Sequence, residues 1–72
     1  MKKVFKIENL DCAVCASKME EGISKIDGVE NVSVSFLTQK IRLNADENKI
    51  DEIIEKMVKV CKRVEPDCKI EL

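Results

Sequence analysis

The stretch DENKIDEIIEKMVKVC, residues 46–61, carries the strongest periodic pattern of the 72-residue chain. Its apolar residues recur at spacings of three and four, the stripe of an amphipathic helix. On the other face Glu52 and Glu55 each precede a lysine by four residues, which suits helical ion pairs. Asp46 can cap this helix and Pro66 ends it. The stripe consists of Ile50, Ile53, Ile54, Met57, Val58 and Cys61. This segment is predicted to be the second of two helices.

The segments on either side complete the pattern. A first strand is predicted over Val4–Glu8, and a first helix runs from about Ala13 until Asp27-Gly28 stops it. A hairpin follows, with its turn near residues 37–39, and the chain ends in a strand. The apolar strand positions are Phe5 and Ile7, then Val32, Val34 and Phe36, then Ile41 and Leu43, then Cys68, Ile70 and Leu72. The apolar stripe of the first helix is Ala16, Met19, Ile23 and Ile26. The predicted order is βαββαβ.

Each predicted helix has one apolar stripe, and each strand has one apolar face. The economical packing is a four-stranded antiparallel sheet with both helices on a single side. The expected fold class is therefore α+β, a ferredoxin-like βαββαβ sandwich. No linker, repeat or low-complexity segment divides the chain, so a single domain over residues 1–72 is expected.

Composition narrows the possible functions. Lys and Arg number 13 against 14 Asp and Glu, for a formal net charge of -1, and the signs alternate along the chain. Phe5 and Phe36 are the only aromatic residues, so the chain has neither a basic stripe nor a stacking platform for nucleic acid. No apolar run approaches the roughly 20 residues of a membrane span, and charges interrupt the segment where a signal-peptide core would lie. We expect a cytoplasmic chain without nucleic-acid binding or membrane insertion.

The segment NLDCAVCA, residues 9–16, lies between the first strand and the first helix. Two cysteines separated by two residues on a turn can direct both sulfurs at one ion. A thiolate at a helix start is also favoured by the free N–H groups and the helix dipole. Without an export signal, four cysteines indicate metal or redox chemistry rather than a disulfide framework. Cys12 and Cys15 are therefore the candidate metal ligands.

Two other interpretations of this pair stay open. A single Cys-x-x-Cys is also the motif of thiol oxidoreductases, although the chain is short for a thioredoxin-like fold and lacks both Trp before the first Cys and Pro between the two. The cysteines could instead be small buried hydrophobes, a common environment for Cys. Their place on a loop beside Asp11, outside the apolar stripe of the helix, favours the metal hypothesis.

The chain resembles the heavy-metal-associated domain family, found as small metallochaperones and as amino-terminal modules of transition-metal P-type ATPases. The family pattern is a hydrophobic residue, a variable residue and Cys-x-x-Cys at the start of the first helix, and residues 10–15, LDCAVC, match it. The resemblance covers the whole chain. Copper members usually carry Met at the position of Leu10 and a small hydroxyl residue where Asp11 stands. Asp11 instead resembles the zinc-, cadmium- and lead-exporting branch.

Asp11 bears on the choice of metal. Two thiolates alone satisfy Cu⁺, whereas Zn²⁺ or Cd²⁺ takes about four ligands and accepts a carboxylate oxygen. Asp11 would then be a third ligand beside Cys12 and Cys15. Alternatively it is the N-cap of the first helix, a position for which Asp is well suited. Because the chain has no His, any further ligand would be water, another carboxylate or a partner group.

The resemblance implies a metal-binding module and not an enzyme. Its expected cargo is Zn²⁺ or Cd²⁺, with Pb²⁺ also possible, and its expected context is the amino-terminal domain of an exporting P-type ATPase. A cytosolic copper(I) chaperone of the same fold is the alternative. The expected partner is the membrane transporter core or another metal-binding domain, to which the ion passes by ligand exchange.

Cys61 and Cys68 fall on apolar faces, and their separation is not that of a metal knuckle, so both are predicted to be core thiols. Met19 is likewise expected to pack in the core. Lys62 and Arg63 are expected to follow the second helix beside the metal loop. Either could compensate thiolate charge, but solvated cations are the simpler expectation.

Overall fold

The computed structural model describes residues 1–71 and confirms the predicted order of elements. The strands and helices are β1 Lys2–Glu8, α1 Ala13–Ser24, β2 Val29–Ser35, β3 Lys40–Ala45, α2 Ile50–Val64 and β4 Lys69–Glu71. Leu72, which was predicted to belong to the closing strand, lies outside the described residues.

The four strands form one sheet in the order β2-β3-β1-β4, and every neighbouring pair is antiparallel. The register places Phe5 opposite Ile41 and Ile7 opposite Ile70, so apolar side chains line up on one face. That face, the stripe of α1 and the stripe of α2 share a single buried core. On the other face Val4 is 60% exposed. Both helices therefore cover the same side of the sheet, as the ferredoxin-like prediction requires.

The ends of α2 differ from the prediction. Asp46 does cap, but its carboxylate accepts the N–H of Asn48 at 3.0 Å and so begins a short 3-10 turn, Glu47–Lys49, that precedes α2. At the other end, α2 includes Lys62 and Arg63 in its last turn, so these cations do not follow the helix. The predicted pair of Glu52 and Lys56 is formed, at 3.1 Å.

Two glycines allow close packing against α2. Gly28 has a φ of 97°, and a Cβ there would lie 2.9 Å from Cδ1 of Ile53. Gly22 lies inside α1, where a Cβ would be 2.7 Å from Cγ1 of Val60. The absence of a side chain at Gly22 thus lets the last turn of α1 approach α2.

Candidate metal site

The loop from β1 to α1 presents both candidate cysteines at the helix start. Leu10 is only 1% exposed and anchors the loop in the core, whereas Asp11 and Cys12 are exposed and Cys15 is half-buried. Cys12 is the N-cap of α1, with φ −129° and ψ 126°, and its sulfur accepts the backbone N–H of Cys15 at 3.4 Å. The alternative of Asp11 as the N-cap is therefore wrong, because the N-cap falls one residue later.

The hydrogen bonds of the pair make the two thiols unequal. The pKa of Cys12 lies below the usual thiol value, chiefly because its sulfur accepts the backbone N–H of Cys15, and also because the thiol of Cys15 donates to it. The pKa of Cys15 is raised, first by that same thiol hydrogen bond to Cys12 and then by burial. Cys12 therefore ionises first, and Cys15 keeps its proton while it donates to the neighbouring thiolate.

The carboxylates near this pair lie to one side of it. Asp11 lines a surface cleft together with Asn9, Glu65 and Asp67. Glu65 is near enough that its charge adds to the raised pKa of Cys15, after the larger effects of Cys12 and of burial. Within residues 1–71, no three Cys, Asp or Glu side chains converge as a ready metal site. The structure thus brings Cys12 and Cys15 together and leaves Asp11 in the adjoining cleft.

The cation that acts on the thiols is Lys18, which sequence analysis missed. Its charge helps to lower the pKa of Cys12, after the hydrogen bonds from Cys15. Lys18 stands three residues beyond Cys15 on α1, a spacing that places two side chains side by side on a helix and could have identified it. Lys62, by contrast, donates to the carbonyl of Cys68, the residue just before β4.

The second cysteine pair lies in the core, as predicted. Cys61 and Cys68 are both 0% exposed, as is Met19. Burial, with the charge of Cys68 as a second cause, raises the pKa of Cys61 to about 12. Burial also raises the pKa of Cys68. Both thiols are therefore protonated at neutral pH and pack as small apolar groups.

A βαββαβ sandwich that displays a dithiol at the start of its first helix defines a class of small metal-binding domains. The profile of the Heavy-metal-associated domain family matches residues 4–63. The chain belongs to this family.

Among the similar proteins are ATPases named for zinc and cadmium and an ATPase named for copper. The chain is 29% identical over 66 residues to the cadmium, zinc and cobalt-transporting ATPase of Bacillus subtilis, which covers 92% of this chain and 9% of that protein. It is 40% identical over 42 residues to the zinc/cadmium/lead-transporting P-type ATPase of Escherichia coli, covering 58% of this chain and 6% of that protein. It is 34% identical over 61 residues to the copper-exporting P-type ATPase of Bacillus subtilis, covering 82% of this chain and 8% of that protein. The chain thus spans less than a tenth of each of these relatives.

Solved structures agree on the fold. A CopZ metallochaperone superimposes with a TM-score of 0.79 at 18% identity, covering 99% of this chain and 100% of that one. The amino-terminal domain of a potential copper-translocating P-type ATPase from Bacillus subtilis, in its Cu(I)-loaded state, superimposes with a TM-score of 0.75 at 27% identity, covering 99% and 84%. Among the described residues, neither helix has the length and apolar character needed to cross a bilayer.

Proposed function

We propose that this chain binds a soft or borderline heavy-metal ion through Cys12 and Cys15 and passes it to a partner by ligand exchange. The observation that carries the proposal is the pair of thiols at the start of α1, in which Cys12 is exposed and is the more acidic of the two. Thiolates are the ligands that such ions prefer, and a thiol with a lowered pKa competes well against protons for the ion.

Binding would proceed in two steps that the unequal thiols dictate. Cys12 contacts the ion first, because its pKa is lowered while that of Cys15 is raised and because its side chain lies exposed to solvent. Cys15 then loses its proton to solvent and becomes the second ligand. Transfer is a ligand exchange without oxidation or reduction: a thiolate of the partner bonds to the ion, and Cys12 and Cys15 then leave in turn.

We assign the ion to the divalent group of Zn²⁺, Cd²⁺ and Pb²⁺. Asp11 precedes Cys12 directly and its side chain is exposed. As a third ligand, it would turn its carboxylate from the adjoining cleft toward an ion held by the two sulfurs. Glu65 adds a second carboxylate whose charge is felt at Cys15. Negative charge and oxygen ligands favour a divalent ion over Cu⁺. Two of the ATPases that the chain resembles are named for zinc and cadmium.

Copper(I) is the second candidate, and a specific observation favours it. In residues 1–71 only the two thiols are gathered, without a third ligand, and two thiolates are the set that satisfies Cu⁺. Relatives named for copper are also among those found.

The biological context that we propose is the cytosolic amino-terminal domain of a heavy-metal-exporting P-type ATPase, with residues 1–72 as a single domain. The chain matches only the heavy-metal-associated part of such proteins, so the partner would be the transporter core or another domain of the same type. The cytosolic face is where a pump that exports metal would receive the ion.

The test is a competition titration of the reduced protein against metal-indicator dyes under anaerobic conditions. We expect the protein to take one equivalent of Zn²⁺ or Cd²⁺ from the indicator and to release protons as it binds the ion. Weak Zn²⁺ and Cd²⁺ binding beside tight Cu⁺ binding would move the assignment to copper. No binding of any of these ions, with a readily formed Cys12–Cys15 disulfide, would favour a thiol oxidoreductase instead.

A further inference from the structure

We infer that Gln39, in the turn between β2 and β3, is a positioning residue for the metal-binding loop. The inference rests on the proposed function, because it explains how that loop keeps the geometry of its two thiols. Gln39 is far from Cys12 in sequence, and its type and spacing gave no sign of a role in the site.

The side-chain amide of Gln39 forms hydrogen bonds with both the backbone N–H and the backbone carbonyl of Leu10. Its oxygen accepts the N–H of Leu10 at 3.2 Å, and its nitrogen donates to the carbonyl of Leu10. The same nitrogen donates to the carbonyl of Phe36 at 2.6 Å, which holds the amide in its own turn. Since Leu10 is 1% exposed, water has little access to replace these bonds.

Backbone strain points to the same place. Among residues 1–71, Gln39 and Asn9 are the non-glycine residues with positive φ, at 55° and 65°. Asn9 lies in the metal loop, and its side chain donates to the carbonyl of Asp67 at 3.1 Å. Glycine would adopt the backbone of Gln39 more easily but could not make the contacts with Leu10. Strained residues whose side chains brace one loop from two sides indicate that the loop shape is functional.

Gln39 can influence the position of the thiols because Leu10 lies just before them in the chain. Leu10 is followed at once by Asp11 and by Cys12, the N-cap, so fixing the peptide of Leu10 fixes the path along which the chain enters α1. The turn itself is held to β1, because the N–H of Ile7 donates to the carbonyl of Gln39 at 2.9 Å. Gln39 therefore couples the rigid sheet to the loop, and a loop that is preorganised loses less entropy when it closes on an ion.

The experiment compares Gln39→Gly with Leu37→Gly. Both put a glycine into the same turn, but Leu37 is 82% exposed and does not hold the loop. For each protein we would measure Cd²⁺ affinity by competition, hydrogen exchange of the Leu10 amide by NMR, and the unfolding midpoint. In Gln39→Gly we expect Cd²⁺ affinity to fall about tenfold, the Leu10 amide to lose its protection and the unfolding midpoint to drop, because the N–H and carbonyl of Leu10 lose partners that water replaces poorly. Leu37→Gly should match the parent in affinity and in Leu10 protection.

Unchanged affinity and Leu10 protection in Gln39→Gly would overturn the inference, and so would an equal loss in both variants, which would make turn flexibility the cause. If Gln39→Gly does not fold, Gln39→Asn replaces it, since Asn tolerates positive φ but is too short to reach both groups of Leu10. A parent protein that binds no Cd²⁺ would instead refute the proposed function. In that case the exchange of the Leu10 amide would still decide whether Gln39 holds the loop.

Discussion

The two cysteine pairs of this chain have the same chemistry and opposite surroundings. Cys12 and Cys15 lie where a helix begins, within reach of backbone N–H groups and solvent, so one thiol is easily ionised. Cys61 and Cys68 are 0% exposed in the core, and burial keeps them protonated. The environment of a thiol, rather than its presence, therefore decides whether it ionises readily or stays protonated and packs as an apolar group.

The largest effect should come from the loop pair. Replacing Cys12 or Cys15 with Ser should lower Cd²⁺ affinity at least about a thousandfold, or roughly 4 kcal/mol, because one thiolate cannot hold the ion on an exposed loop. The fold should survive, since Ser is itself a favoured N-cap residue at position 12 and Cys15 is only partly buried. Cd²⁺ titration with parallel circular dichroism would check both points. Tight binding of one ion by the Cys12→Ser, Cys15→Ser double variant would place the site elsewhere.

The core pair should respond in the reverse way. Cys61→Ser places a hydroxyl among apolar side chains and should lower the free energy of unfolding by roughly 1–3 kcal/mol, while the metal stoichiometry stays that of the parent. Urea denaturation and Cd²⁺ titration of the same sample would measure the two quantities. Loss of metal at unchanged stability would contradict the core assignment.

Asp11 tests which ion the loop pair prefers. Asp11→Asn removes the anionic oxygen and leaves the N-cap intact, because Cys12 holds that position. Affinity for Zn²⁺ and Cd²⁺ should fall by about tenfold, or roughly 1.4 kcal/mol, with Cu⁺ affinity little changed. Asp67→Asn is the matched control, since Asp67 lines the same cleft. Equal losses in both variants would indicate the general negative field of the cleft rather than a ligand.

The smallest effect concerns alkaline pH. Cys61 has a folded-state pKa of about 12 against an ordinary value of 9.0, so above pH 9 the unfolded chain loses this proton before the folded chain does. Stability from this group is complete below about pH 9 and is lost as the pH rises toward 12. Between about pH 9 and about pH 10 the free energy of unfolding should fall by about 1 kcal/mol more in the parent than in Cys61→Ala, as urea denaturation would measure. Parallel pH profiles would show that Cys61 is not held protonated.

The periodicity of the apolar residues was sufficient to predict the fold, because within each element they recur at the spacing of either a helix or a strand. The apolar stripe of α2 and the alternation in the hairpin favour a single arrangement, with both helices on one face of the sheet. The observed helices and strands begin and end within a few residues of their predicted limits. The errors lie at the ends. Asp46 caps a 3-10 turn rather than α2 itself, because a single capping residue does not reveal which type of turn follows.

The candidate site was predictable only in part. Cys12 and Cys15 are local in sequence, so their spacing identified them. Gln39 and Glu65 reach the loop from distant turns, and only the sheet register and the end of α2 bring them there. Side chains that act through tertiary contacts leave no periodic signal, and the inequality of the two thiols follows from hydrogen bonds of a particular N-cap geometry that residue types do not specify.

X-ray absorption spectroscopy of the protein loaded with one equivalent of Zn²⁺ tests the central claim most directly, because it counts sulfur ligands. The account predicts two sulfur atoms at about 2.3 Å and oxygen atoms at about 2.0–2.2 Å, with the same spectrum for Cys61→Ser. A coordination sphere of oxygen without sulfur, or four sulfurs in a monomeric complex, would contradict it.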